Sequence, residues 1–179
     1  MLVGGGLLAA AAIGAGVLAL AGGGDRGDSP ADEIGRLLPE KVSNADAGIV
    51  VRHPADWKDS KRSGIINVES PDRCIVISIS APAGSGRAGQ LATDSIDALE
   101  AQLGRVRERP LKRSEVDGRP TQSSLVAVRS EKGAAVVVRQ SVSKGKRFAY
   151  LIQTLYRAPP CAESAPTADL IVQSLELSK

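Results

Sequence analysis

The sequence predicts an α+β domain: an antiparallel sheet covered by helices on both faces, an α/β/α sandwich, with a transmembrane helix or signal segment ahead of it. Three observations lead there. Strand-like runs carry apolar residues on both faces, since Ala135 and Val137 oppose Val136 and Val138, and Leu151 and Leu155 oppose Phe148 and Ile152. A sheet that is apolar on both sides has to be covered on both sides. Tight turns at Asp117-Gly118, Glu131-Lys132-Gly133 and Lys144-Gly145-Lys146 join these runs, and connections this short make antiparallel neighbours. Two further stretches carry one apolar stripe at helical spacing, which supplies one helix per face.

Leu2–Ala21 contains no charged or polar side chain. Twenty residues at a helical rise of about 1.5 Å reach roughly 30 Å, the thickness of a bilayer's hydrocarbon core. The segment reads as a transmembrane anchor or as a signal segment. Ala19-Leu20-Ala21 has the small-x-small form of a cleavage site, but no positive residues precede the apolar run. With 5 Gly and 7 Ala it is also poor in the large apolar residues that favour insertion. No cysteine lies near Ala21 to carry a lipid. The rest of the chain is accordingly expected outside a membrane, as a single-pass protein with an extracytoplasmic domain, or secreted if cut after Ala21.

Residues 22–43 read as a flexible linker with a short helical stretch, Ala31–Leu38, stopped by Pro39. Residues 44–179 form one globular domain. Gly48–Arg52, Ile65–Val68 and Cys74–Ser80 read as strands, the last with Ile75, Ile77 and Ile79 on one face. Leu91–Leu103 is a helix, with Ala92, Ile96, Leu99 and Leu103 in one stripe and Gly104 suited to its C-terminus. A meander of strands follows, and a last helix is expected over Pro166–Leu177.

The two cysteines, Cys74 and Cys161, lack metal-ligand spacing, and His53 is the only histidine. In an oxidising compartment their best use is one disulfide, the alternative being two buried thiols. Gly84-Ser85-Gly86-Arg87-Ala88-Gly89 spells a dinucleotide-binding pattern, but the charged Arg105–Arg109 stands where that fold needs a buried parallel strand. Ser141-Val142-Ser143-Lys144 spells a Ser–Lys nucleophile, yet on a strand positions three apart point to opposite faces. Phe148, Tyr150 and Tyr156 share a face and could stack bases; aromatic core packing is the commoner use of such rings. No enzymatic activity, cofactor, metal or nucleic acid is expected.

Charge is more telling. Residues 105–157 hold 13 Lys/Arg against 4 Asp/Glu. Arg105, Arg107 and Arg109 alternate along one strand, with Lys112 and Arg113 close by, and Lys144, Lys146 and Arg147 form a second cluster. These eight residues are the candidate surface for an anionic partner: lipid, envelope polymer or protein. The opposing reading is a solvated basic face.

The first strand running into His53-Pro54-Ala55-Asp56-Trp57, the Leu91–Leu103 helix, the Asp117-Gly118-Arg119-Pro120 turn before the meander, and the closing Ile171-Val172-Gln173-Ser174-Leu175 appear in the order of a known family. Over roughly 46–177 the chain resembles the PsbP-like fold. That fold is shared by the photosystem II subunit PsbP, a small Ran-binding nuclear import factor and envelope lipoproteins such as LpqN. The resemblance implies a non-catalytic accessory or binding role in the cell envelope, and brings over no functional residue. The rival class is an exported hydrolase using the Ser/Lys groups or the Gly-rich loop.

Overall fold

A computed structural model describes residues 30–82, 88–104, 106–111, 114–129, 135–145, 148–157, 161 and 163–178. Along the chain run α1 (Pro30–Leu37), β1 (Glu40–Asn44), β2 (Ile49–His53), β3 (Lys58–Arg62), β4 (Ile65–Glu69) and β5 (Ile75–Ser80). Then come α2 (Ala88–Leu103), β6 (Val106–Pro110), β7 (Ser114–Val116), β8 (Arg119–Arg129), β9 (Ala135–Lys144), β10 (Ala149–Arg157), α3 (Ala165–Gln173) and β11 (Glu176–Leu177). One large antiparallel sheet has the order β3-β4-β5-β10-β9-β8-β6, with β7 pairing β8, and a small antiparallel sheet has the order β1-β2-β11.

Alternation along the strands assigns each side chain to a face of the large sheet. Ile66, Val68, Ile75, Ile77, Ile79, Tyr150 and Ile152 point one way and pack with Ala168 and Ile171 of α3. Leu151, Val142, Val126, Val128 and Val138 point the other way, against Leu91 and Leu99 of α2. We call these the α3 face and the α2 face. As expected from the apolar runs, one helix lies on each face. The α3 face differs from that expectation in one respect: the small sheet shares the cover, its Ile49, Val51 and Leu177 entering the same core.

Three other elements depart from the sequence reading. The final helix ends at Gln173, because Ser174 turns back on β2. Its Oγ accepts from the Arg52 N–H (3.0 Å) and donates its one proton to the Ile171 carbonyl (2.8 Å), with the Arg52 carbonyl 3.2 Å away, freeing Glu176–Leu177 to pair with Ile49–Val50. Strand β3 escapes notice because all five of its residues are exposed and polar or charged. The packed unit also begins before Asn44: Leu38 is 1% exposed in the core, and β1 pairs β2 over its whole length. Asn44 itself is buried, donating to the Arg62 carbonyl and accepting from the Ala47 N–H, both at 3.1 Å. It thereby ties the small sheet to the β3–β4 hairpin.

The turn expected at Asp117-Gly118 is present, both residues having positive φ (52° and 65°), as a tight hairpin requires. Cys74 and Cys161 form a disulfide between the start of β5 and the approach to α3, with Cα atoms 5.7 Å apart. Among the described residues no helix is long and apolar enough to cross a membrane; Leu2–Ala21 lies outside them.

Candidate binding surface

Of the eight candidate basic residues, Arg107, Arg109 and Lys144 are described and all three are exposed. Arg105, Lys112, Arg113, Lys146 and Arg147 lie outside the described residues. The structure places the three on two separate surfaces. Arg107 and Arg109 sit on β6, the edge of the large sheet, opposite Ala127 and Leu125 of β8. Lys144 ends β9 beside Ala149 on the α2 face, among the neighbours of Leu91.

Register extends the arginines into two rows across the sheet. One row runs Arg109, Leu125, Arg139, Thr154, and the other Arg107, Ala127, Val137, Tyr156. These rows lie on the α3 face; their inner ends, Thr154 and Tyr156, are covered, and cover thins toward β6. Ala127 is exposed, and Leu125 and Val137 are half-buried. The result is an open end of the sheet where aliphatic side chains alternate with cations. Arg139 pairs with Asp169 of α3 at 2.9 Å, above a small cleft of about 150 Å³ between β7, β9, β10 and α3. Tyr156 lies in this neighbourhood, and burial, reinforced by Asp169 and opposed by Arg139, pushes its hydroxyl pKa above the usual value. No ion pair among the described residues engages Arg107 or Arg109.

The sequence-level catalytic patterns do not assemble. Ser141 is buried with its Oγ 2.9 Å from that of Ser123, while Lys144, three residues on, belongs to the opposite face and is exposed. Ser143 Oγ is buried without a hydrogen-bond partner. Residues 84–87 of the Gly-rich pattern lie outside the described residues. The strand that follows α2 is an exposed antiparallel edge rather than a buried parallel strand. His53 ends β2, 3% exposed, with Nδ1 2.9 Å from the Pro54 carbonyl and Nε2 3.5 Å from an Asp59 carboxylate oxygen. Tyr150 is fully buried and donates to the Ala47 carbonyl at 3.2 Å, so it presents no face for stacking. Among the described residues no three His, Cys, Asp or Glu side chains gather as metal ligands.

No family model and no curated protein sequence matches this chain. Its fold, however, is that of known structures. Cyanobacterial PsbP from Synechocystis is similar over 77% of this chain and 91% of its own, at 13% identity and a TM-score of 0.52. The Ran-binding protein Mog1p of Saccharomyces cerevisiae is similar over 77% of this chain and 94% of its own, at 12% identity and a TM-score of 0.51. LpqN of Mycobacterium tuberculosis, described as involved in cell envelope biogenesis, overlaps 84% of this chain and 97% of its own at 14% identity and a TM-score of 0.47. The chain also spans 46% of the length of a Bacteroides thetaiotaomicron protein, which covers 74% of this chain at 17% identity and a TM-score of 0.49. The fold expected from the order of the sequence motifs is therefore the fold observed.

Proposed function

We propose that this chain is a non-catalytic binding domain that works outside the cytoplasm, held at a membrane by residues 1–21, and that its β6 edge contacts an anionic partner. One observation carries the reading: Arg107 and Arg109 stand side by side on an exposed edge strand, outside every described ion pair, beside exposed Ala127 and half-buried Leu125 and Val137. Cations flanking partly exposed aliphatic groups suit a partner that is negatively charged and partly apolar. Among anionic lipids, polymers and protein patches, a lipid surface fits that mixture best. Arg105, Lys112 and Arg113 adjoin this strand in sequence, and Lys146 and Arg147 adjoin Lys144 on the other surface. The disulfide supports an oxidising compartment. Binding without chemistry also agrees with the Ran-binding role of a protein sharing the fold. The hydrolase alternative finds no support in the separation of Ser141 from Lys144.

The test is sedimentation of residues 22–179, which carry every described element but not the apolar segment, with phosphatidylglycerol vesicles at low and high salt. Each cation near an anionic surface contributes about 1 kcal/mol, so Arg107→Gln/Arg109→Gln should weaken binding by about 2 kcal/mol, roughly 30-fold. Equal binding to neutral phosphatidylcholine vesicles, or binding indifferent to salt, would sink the proposal.

A further inference from the structure

We infer that the groove on the α2 face, between the first half of α2 and strands β8 and β9, binds an extended peptide with opposite charges at its two ends. The groove encloses about 620 Å³, within the range of roughly 300–1,000 Å³ usual for ligand sites. Its floor consists of side chains facing one another in register: Gln122 beside Val142, and Ser124 beside Gln140. Ala88 and Ala92 form the helical wall, and their short side chains leave the space open. Pro110 and Leu111 form the other wall.

Charge sets the ends. Glu108 lies opposite Val126, and Lys144 stands one step past the Thr121–Ser143 pair, next to Pro120. Both are exposed and both line the groove. Six residues along β8 separate the two positions, roughly 20 Å at about 3.3 Å per residue. An extended chain of six residues, at about 3.3 Å per residue, matches that span, whereas six residues of α-helix, at about 1.5 Å each, would reach only about 9 Å.

The polar groups between the charged ends are positioned but not used up. Gln140 is 1% exposed and fixed from two sides, its Nε2 donating to the Ala92 carbonyl and its Oε1 accepting from Gln153, both at 3.2 Å. Ser124 is 7% exposed, and no hydrogen bond among the described residues uses its hydroxyl, which opens into the groove. A peptide amide or carbonyl entering the groove would take the place of water at this hydroxyl. No aromatic ring lines the groove, so it offers no flat apolar plate to a sugar ring.

The experiment is fluorescence anisotropy of the full chain in neutral detergent micelles with a pooled set of labelled hexapeptides, Lys-X-X-X-X-Glu. Saturable binding is expected, weakened at least tenfold for the same set with neutral ends. Lys144→Glu should weaken the Lys/Glu-ended set about tenfold and improve binding of a Lys/Lys-ended set. Arg107→Gln/Arg109→Gln should leave peptide binding unchanged, which separates this site from the β6 surface. No saturable binding, equal binding of neutral-ended peptides, or displacement by an N-acetylglucosamine hexasaccharide but not by unlabelled peptide would each overturn the inference.

Discussion

The two faces of the large sheet are filled in different ways. On the α3 face, eighteen described core residues form one cluster running from Leu38 to Leu177, with three isoleucines of β5 at its centre. Its buried polar groups at Asn44, Tyr150 and Ser174 are hydrogen-bonded, Ser143 Oγ being the exception, and the disulfide fastens its margin. On the α2 face the described core splits into two groups of four. Between them stands the Gln140–Gln153 pair, which also reaches the α2 backbone. Continuous packing gives rigidity and stability. A divided face retains less apolar burial but leaves room for a groove. The first face holds the fold together, and the second is where it has space to accommodate another molecule.

Matched core truncations give the largest expected effect. Ile77→Ala, fully buried on the α3 face, should cost about 4 kcal/mol, and Leu99→Ala, 8% exposed under α2, about 2 kcal/mol, by urea unfolding. Equal losses would erase the contrast. Next comes the disulfide, whose loop spans 87 residues. Replacing both cysteines by alanine should remove about 2–5 kcal/mol on chain-entropy grounds, while amides of α2 exchange no faster relative to global unfolding than before. A smaller effect is expected from Gln140→Ala, about 1 kcal/mol, because it removes the Gln153 amide's acceptor and one donor to the Ala92 carbonyl, which keeps its bond from Ser95 Oγ. Hydrogen exchange should then rise in α2 and not in β5.

The smallest effect concerns acid. Asp72 accepts from Ser70 Oγ, from the Cys74 N–H at 2.9 Å and from Ser164 Oγ at 3.2 Å, which joins the turn before β5 to the start of α3. The Ser70 hydroxyl above all, then the Cys74 amide, hold its carboxyl below the ordinary value of 3.8. A depressed folded-state pKa gives stability that is present above the unfolded value and lost as pH falls through the folded one. The advantage of the parent chain over Asp72→Asn in Tm should therefore be full at pH 6 and shrink below pH 4. A constant gap down to pH 2 would show that the carboxylate's charge is irrelevant.

Elements whose burial repeats at a local period were legible in the sequence. The stripe Ala92, Ile96, Leu99 announced α2, and alternation in Ile75, Ile77, Ile79 announced β5 and its buried face. Strand β3 is a hairpin partner with no apolar period, and β11 is two residues long, paired to a strand more than a hundred positions away. Neither carries a local signal. The basic strand β6 was visible as Arg107 and Arg109, because alternation is a local property. Arg139 carries no local signal tying it to them, since only register across β8 brings it into the Arg109 row. The groove was invisible for the same reason: Glu108, Gln122, Ser124, Gln140 and Lys144 come together from three strands.

The two edges of the large sheet are β3, reading Lys-Asp-Ser-Lys-Arg, and β6, reading Val-Arg-Glu-Arg-Pro. Charged side chains and a terminal proline are poor templates for a further strand, so the large sheet stops growing at both ends. The small sheet follows another rule. Its central strand β2 is made early, yet its last partner is Glu176–Leu177, anchored by the Leu177 N–H to an Asp117 carboxylate oxygen at 2.9 Å and by the Arg119 guanidinium to the Leu177 carbonyl. Contacts this distant in sequence form late. A chain leaving the ribosome therefore carries one flank of its first hairpin open until Glu176–Leu177 has emerged. The order of synthesis is in effect a timer that keeps the domain unlocked until that strand arrives.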